Sequence, residues 1–292
     1  MRSMLRVSVL CLAVAIGACK PDEVISTENI PTAGVRFINA VPDTGAAYGL
    51  DFRFVDLVES NAQYRIPFRN NPSTSGTAPN TVTASTQIQY KPARAGSRHF
   101  RIFLSDSLQA VASTVLKDST INIEAGKNYT VMLWGNARST GADKMKLSVW
   151  EEAVPDPTTN VALRVINATA SPIDARQYLS TGTPPATATW ANVAPFTAST
   201  YVTAAPGQFR FNVQPAGGGT ALFSDGLALV GTAATADIEA LPGTTIAGSA
   251  VTAIVFPRSV AGSKAPQSSS FQVPAMTFVW DRRPPRTCSA LC

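Results

Sequence analysis

Few residues of this chain could carry out acid–base or metal chemistry. His99 is the single histidine among 292 residues, and it alternates with Arg98 and Phe100 in a pattern typical of a solvent-facing strand position. Catalytic triads, His-based proton transfer and histidine-ligated metals need imidazole groups that the sequence does not supply. No G-x-S-x-G, HExxH or phosphate-loop motif is present. We therefore expect a protein that is not an enzyme and needs no cofactor or metal.

A pair of opposite charges occurs twice with the same spacing. Asp51 and Arg53 in the first half of the chain correspond to Asp174 and Arg176 in the second. A separation of two residues puts both side chains on one face of a strand. There they would form a surface ion pair worth less than about 1 kcal/mol. A ligand site or surface recognition pair at these positions is the alternative.

Aromatic side chains form a second recurrent group. Exposed aromatic rings can stack on sugars or anchor a partner protein, whereas more often such residues fill the core of a sandwich. The group comprises Phe52, Phe54, Tyr64, Phe68 and Tyr90 in the first half, and Tyr178, Trp190, Phe196 and Tyr201 in the second.

The four cysteines lie near the two ends of the chain. Cys11 and Cys19 belong to the N-terminal region, and Cys288 and Cys292 to the C-terminal tail. Thiols of exported proteins tend to pair, so a disulfide between Cys288 and Cys292 is possible if the tail makes a helical turn. A metal site would need further Cys or His nearby. The fold must therefore rely on its hydrophobic cores.

The N-terminus has the order of features found in exported lipoproteins. Arg2 and Arg6 precede an apolar run over 7–16, which is about half the length of roughly 20 residues that a membrane-spanning helix needs. Ile16-Gly17-Ala18-Cys19 then resembles a bacterial lipobox. That resemblance implies that Cys19 becomes the mature N-terminus and carries several acyl chains. An ordinary signal peptide with an incidental cysteine is the alternative.

Removal of the signal peptide, residues 1–18, leaves a mildly basic chain with a polar tether. Two arginines and no acids are lost, so the formal net charge falls from +5 to +3. That charge is too small to indicate nucleic-acid binding. The tether, 19–34, could reach roughly 50 Å when extended. We expect membrane attachment through the lipid at the cell envelope, most simply the outer membrane, with either the periplasmic or the surface face possible.

A repeated hexapeptide organises the rest of the chain. VRFINA at 35–40 returns as LRVINA at 163–168. Other segments recur in the same order, which indicates a tandem duplication. The matching segments are LDFRFVD and IDARQYL, HFRIF and QFRFN, and LSVWEE and TFVWDR.

Each copy contains about seven short stretches of strand-forming residues between turn residues, which predicts a sandwich. The first copy is 35–152 and the second is 161–282. Pro155 and Pro157 make 153–160 a semi-rigid linker, which predicts two bodies with few contacts between them. The polar tail is 283–292, and 69–85 is a long polar loop. The predicted strands are 35–41, 50–58, 86–90, 98–104, 119–123, 129–134 and 144–150, then 161–168, 173–179, 200–203, 208–214, 233–239, 247–256 and 271–280.

The order of these motifs is similar to that of a bacterial domain-of-unknown-function family numbered 4397. The similarity includes a strand ending in Asn-Ala, a turn with Pro and Asp, a Phe-Arg strand and AGKNYTVMLWG at 125–135. It covers roughly both copies, although the second departs from the pattern at 241–255. Asn39 and Asn167 stand where such domains commonly carry His. The resemblance implies immunoglobulin-like sandwiches in secreted or surface proteins and supplies no catalytic residues.

Taken together, these features predict an all-β protein. We expect two tandem immunoglobulin-like β-sandwich domains after a cleaved signal peptide and a flexible spacer. A non-enzymatic role in binding, adhesion or structure at the cell envelope follows, with an unknown surface protein or polysaccharide as the partner. A carbohydrate-binding module is the main alternative, and a glycoside or other hydrolase is a distant one because glycoside hydrolysis needs only two carboxylates.

Overall fold

In the computed structural model of the chain, the described residues are 30–43, 50–57, 88–104, 110, 113–137, 139–142, 144–235, 238–258 and 274–286. Cys19, Cys288, Cys292 and the 69–85 loop lie outside them. Contacts divide the chain into two units, Met1–Pro31 and Thr32–Cys292. All described strands belong to the second unit.

The second unit is all-β, as the sequence predicts. The first repeat contains β1 (Thr32–Ala40), β2 (Leu50–Phe54), β3 (Lys91–Arg94), β4 (Gly96–Leu104), β5 (Val115–Ile123), β6 (Asn128–Trp134) and β7 (Lys146–Glu151). The second repeat contains β8 (Val161–Asn167), β9 (Ile173–Leu179), β10 (Trp190–Val193), β11 (Thr197–Ala198), β12 (Val202–Ala204), β13 (Phe209–Pro215), β14 (Gly226–Leu227), β15 (Ala250–Phe256) and β16 (Ala275–Arg282).

Both repeats connect their strands in the same way. In the first, a sheet ordered β3-β1-β6-β7 packs on a sheet ordered β2-β4-β5. In the second, a sheet of β11-β8-β15-β16, with β12 also on β8, packs on β10-β9-β13-β14. The opening strands β1 and β8 run parallel to β6 and β15, whereas the other pairings are antiparallel. The shared pairing order is the structural counterpart of the sequence repeat.

Alternating side chains fill one core inside each repeat. In the first, Phe52 packs between Phe37 and Phe100, with ring centroids 5.1 and 4.8 Å away. In the second, Trp190 stacks on Phe211 at 5.7 Å. Each ring is buried between its two sheets, so these aromatic residues serve packing, with the sandwich-like layering that the sequence predicts.

A third buried cluster lies between the two repeats. Ile38 of the first repeat is fully buried together with Ile166 and Ile254 of the second. Trp134 stacks on Phe196 of the second repeat, with centroids 4.0 Å apart and planes at 9°. The expectation of few contacts between the copies is therefore wrong. The repeated hexapeptides are apolar on both sides because each opening strand is covered on both faces.

The asparagine near the end of each hexapeptide fixes the turn that follows. Asn39 Oδ1 accepts a hydrogen bond of 3.0 Å from the Val41 amide. Asn167 Oδ1 accepts one of 2.9 Å from the Thr169 amide, and its Nδ2 donates to the carbonyl oxygen of Val193 at 3.0 Å. The side-chain amide of Asn provides an acceptor oxygen and two donor hydrogens on one short side chain. Asn167 uses both kinds of group, which fits the recurrence of Asn in the repeat.

Some strand boundaries differ from those predicted. A strand was expected at 86–90, but β3 begins at Lys91 and places Pro92 opposite Gly34. Proline is tolerated there because β3 is an edge strand that need not donate every N–H group. The described part of 233–239 is not a strand, and the short β14 pairs with β13 instead. The strand β10 was not predicted, because its four residues are too few to show an alternating pattern.

Candidate functional site

The second residue of each repeated hexapeptide is an arginine buried between the repeats. Arg36 on β1 is 0% exposed and Arg164 on β8 is 4% exposed. Both face away from the core of their own repeat, on the side of the third cluster. Removing a guanidinium group from water costs several kcal/mol unless it is paired and hydrogen-bonded. The partners of these two arginines therefore determine what the site can do.

Two buried carboxylates complete a cluster of four charges. Arg36 contacts Asp281 Oδ1 at 2.6 Å through Nη1 and Glu152 Oε1 at 2.8 Å through Nη2. Arg164 contacts Glu152 Oε2 at 2.6 Å through Nη1 and approaches Asp281 Oδ2 at 3.8 Å through Nη2. Each arginine thus contacts one acid from each repeat. The cluster has no net charge.

Two threonines connect the arginines to the carboxylates. Thr130 and Thr252 lie directly opposite Arg36 and Arg164 in the parallel strand pairs. Each arginine Nε donates to the threonine opposite, at 2.9 and 2.8 Å. The Thr130 hydroxyl in turn donates to Glu152, and the Thr252 hydroxyl donates to Asp281. The same arrangement of one arginine, one threonine and one acid therefore occurs in both repeats.

A tyrosine ring covers each guanidinium plane. The Arg36 Cζ atom is 4.5 Å from the ring centroid of Tyr90, and the Arg164 Cζ atom is 4.5 Å from that of Tyr201. The Tyr201 hydroxyl donates to Asp281 Oδ2 at 2.7 Å. Burial raises the pKa of both phenols, so they remain neutral. These tyrosines, grouped in the sequence with possible sugar-binding aromatics, shield the charges from water.

The strand registers make the two acids equivalent. Val149 and Phe278 occupy the same place in the two repeats, because each lies opposite the corresponding residue of the neighbouring strand. Glu152 and Asp281 each follow three residues later, and both side chains therefore face the other repeat. Aligning the sequences on the recurring tryptophans would instead pair Asp281 with Glu151, which is exposed.

Opposing effects set the protonation of the cluster. Burial alone would raise the pKa of Glu152, but the charges of Arg36 and Arg164 and the hydrogen bonds to the carboxylate lower it to about 2 from 4.5. Burial would lower the pKa of both arginines, whereas the neighbouring carboxylates raise it. Glu152 and the arginines are therefore charged at neutral pH. A carboxylate with so low a pKa is a poor general base.

The geometry of the cluster suits it to holding the repeats together. A buried ion pair is weak evidence for net stability, but removing one partner leaves an uncompensated buried charge. Because Arg36 and Asp281 come from different repeats, displacement of one repeat against the other would unpair charges. We infer that the cluster fixes how the two repeats pack.

The second of the two Asp-x-Arg pairs is structural. Asp174 accepts hydrogen bonds from the amides of Asn192 at 2.7 Å and Gly217 at 3.0 Å. Arg176 Nη1 donates to Gln214 Oε1 at 3.0 Å. Both charged residues are only 9% exposed. The expectation of a surface ion pair is wrong here, because the Asp174 carboxylate is buried and accepts from main-chain amides of β10 and of the turn at Gly217.

In the first Asp-x-Arg pair, the structure describes the side chain of Arg53 but not that of Asp51. The Arg53 Cζ atom is 5.2 Å from the Phe103 ring centroid. On the neighbouring strands, the Asp118 carboxylate forms a hydrogen bond of 2.5 Å with His99 Nε2 and accepts one of 2.7 Å from Arg101 Nε. The His99 side chain is 39% exposed, which confirms a solvent-facing strand position.

Neither a metal cluster nor a spanning helix occurs in the part of the chain that the structure describes. No group of three or more His, Cys, Asp or Glu there is placed to hold a metal ion. Within the same ranges, no helix has the length and apolar character needed to cross a membrane.

The fold is that of a sandwich-like all-β protein. Comparison with known protein families assigns one segment of the chain to a family. The family described as Domain of unknown function (DUF4397) matches residues 33–176. This segment belongs to that family, as the sequence resemblance implied. The match includes β1 to β8 and the start of β9, and thus Arg36, Glu152 and Arg164, whereas Asp281 lies beyond it. No curated protein matches the chain.

Replacing Glu152 by Gln is expected to lower the free energy of unfolding by about 3–5 kcal/mol, because two buried arginines would then share one carboxylate. Glu151→Gln is a matched control. That side chain is 49% exposed and contacts Lys127 Nζ at 2.9 Å, so its loss should cost less than about 1 kcal/mol. Urea unfolding at neutral pH measures both. Equal losses would contradict a special role for the buried cluster.

The stabilisation from Glu152 should also depend on pH. Its folded-state pKa, about 2, lies below the ordinary value of 4.5, so the contribution is complete above the ordinary value and is lost as the pH falls through the folded value. The stability gap between wild type and Glu152→Gln should shrink by about 3 kcal/mol from neutral pH to pH near 2. A gap that is constant over this range would contradict the ionised, paired state of Glu152.

Proposed function

We propose that the protein is an exported lipoprotein with a non-enzymatic binding or structural role at the cell envelope. In this proposal each repeat is an immunoglobulin-like domain, and the two domains act as one body held by the buried charge cluster. The signal-like N-terminus, Cys19 and the polar tether support the location.

The use of the buried acids is the observation that carries the non-enzymatic assignment. Glu152 and Asp281 are paired with arginines. The other two buried acids that the structure describes bind main-chain amides: Asp174 as above, and Asp43 by accepting a hydrogen bond of 2.7 Å from the Ala137 amide. A glycosidase needs a carboxylic acid with a raised pKa beside a second carboxylate in an open cleft. These four acids have structural partners instead.

The aromatic residues favour a protein partner over a sugar. A carbohydrate module would use an exposed row of rings. Phe52, Phe54 and Trp190 lie in cores, and Tyr90 and Tyr201 cover the arginines. Phe196 is stacked on Trp134, and the Tyr178 hydroxyl bonds Asp225 at 2.5 Å. Tyr64 and Phe68 lie outside the described residues.

Cys19→Ala should move the protein from the detergent phase to the aqueous phase in detergent fractionation of cells, because the lipid attachment atom is lost. Cys11→Ala is a matched control, since it lies within the apolar run, and it should leave partitioning unchanged. Membrane retention of the Cys19→Ala protein would refute lipid anchoring at that residue.

The proposed role is tested by two assays on the purified protein. We expect no hydrolysis of common polysaccharides, peptides or esters, and retention of a specific surface partner from envelope extracts. Glu152→Gln should weaken retention if the fixed packing of the two repeats presents the binding surface. Turnover that is abolished by a single Asp or Glu substitution would overturn the non-enzymatic assignment, and failure to retain any partner would overturn the binding role.

A further inference from the structure

A groove opens on one side of the first repeat, between the edge strands of its two sheets. Among the described strands, β5 and β7 each have a neighbour on one side only. The groove has a volume of about 690 Å³, and it is lined by Lys117, Ile121 and Asn122 of β5 and by Lys146, Leu147 and Val149 of β7. Main-chain groups on the free side of an edge strand can pair with another chain.

The corresponding place in the second repeat is closed by larger side chains. The strand registers make Met276 and Phe278 of β16 equivalent to Leu147 and Val149 of β7. A Cβ atom on Gly226 of β14 would lie 2.6 Å from Met276 and 3.2 Å from Phe278, so β14 and β16 are already in contact. In the first repeat Val149 is instead 38% exposed. The groove therefore results from specific residues of the first repeat.

The groove lining combines apolar and basic groups. Ile121 is 7% exposed and forms part of the apolar floor with Leu147 and Val149, which are two residues apart on one face of β7. Lys117 and Lys146 add positive charge, and none of the described residues that line the groove is acidic. An extended chain presents alternate side chains to opposite faces. Apolar groups at every second position would therefore match the floor, and acidic groups between them would lie on the side of Lys146, which alternates with Leu147.

Trp134 is the one aromatic residue among the described residues that line the groove, and its ring is not free to stack on a sugar. Phe196 covers one face of Trp134 at 4.0 Å, and the Lys146 Nζ atom lies over the ring, 5.2 Å from its centroid. The Trp134 Nε1 atom donates to Ser148 Oγ at 2.8 Å. These contacts favour a peptide strand over a polysaccharide as the occupant.

We propose that this groove binds an extended segment of a partner protein in which apolar and acidic residues alternate, and that the segment adds a strand to β7. Main-chain hydrogen bonds to the edge strand supply affinity in this mode of recognition, and side-chain pockets supply specificity. The inference rests on the proposed binding role, for which it names the surface and the class of partner.

The direct test titrates the purified full-length protein with an end-blocked peptide of about eight residues that alternates valine and glutamate, long enough to span β7. Isothermal titration calorimetry should detect binding that weakens with added salt. A peptide with lysine in place of glutamate should not bind. Absence of binding by the acidic peptide would overturn the inference.

Two variants locate the site. Leu147→Met with Val149→Phe installs the side chains that close the second repeat, and it should weaken peptide binding about tenfold or more at an unchanged urea midpoint. Lys117→Ser with Lys146→Ser removes both positive charges of the lining, together with the Lys146 contact to Trp134, and it should weaken binding by about fivefold to tenfold and reduce the salt dependence. If either well-folded variant binds the peptide as tightly as wild type, the groove is not the site.

Competing occupants give different results. Displacement of the peptide by an oligogalacturonate would identify an anionic-glycan surface and overturn the peptide assignment. Self-association of the wild type that is lost in the Leu147→Met, Val149→Phe variant would identify a second copy as the occupant and also overturn it. If an envelope partner is retained but the peptide does not bind, only this inference fails. Hydrolytic turnover would instead remove the proposed function.

Discussion

The burial of Arg36 and Arg164 between the repeats is the constraint on which the rest of the structure depends. Each guanidinium is withdrawn from water, and the cost of that withdrawal must be offset by carboxylates, hydroxyls and aromatic faces in a fixed geometry. The parallel pairing of the opening strands places a threonine opposite each arginine. The register of β16 on β15 places Asp281 at the position that Glu152 holds in the first repeat.

This constraint links the sequence repeat to the way the molecule is assembled. The opening hexapeptides serve two interiors at once, because one face packs in a repeat core and the other face packs between the repeats. A chain with this arrangement presents its remaining surfaces in a fixed relation to one another. A tethered binding protein benefits from such fixity, since less conformational entropy is lost when a partner docks.

The sequence predicted the all-β fold well because the information is local. Alternating apolar residues and turn residues specify strands such as β9 and β13, and the recurring Asn-Ala marks the turn after β1 and β8. The buried cluster was not predicted, although its signal was present: an arginine stands in the same place of two otherwise apolar strands. The partners of each arginine are distant in the sequence, since Arg36 and Asp281 are 245 residues apart.

The errors in the prediction have the same physical origin. The alternation in 144–150 predicts that Trp150 faces outward or caps an edge of the sheet, but the second repeat covers it. The same alternation predicts Val149 in the core, yet the gap between β5 and β7 exposes it. Alternation along a strand distinguishes two faces, but it does not specify which other element covers each face.

A double-mutant cycle between Arg36 and Asp281 tests the central claim most directly, because these residues belong to different repeats and their atoms are 2.6 Å apart. Urea unfolding of wild type, Arg36→Met, Asp281→Asn and the double variant gives the coupling free energy. A coupling of about 1.5–3 kcal/mol is expected for a buried pair within one network. Additive losses, within about 0.5 kcal/mol, would show that the two repeats do not depend on this contact and would contradict the account.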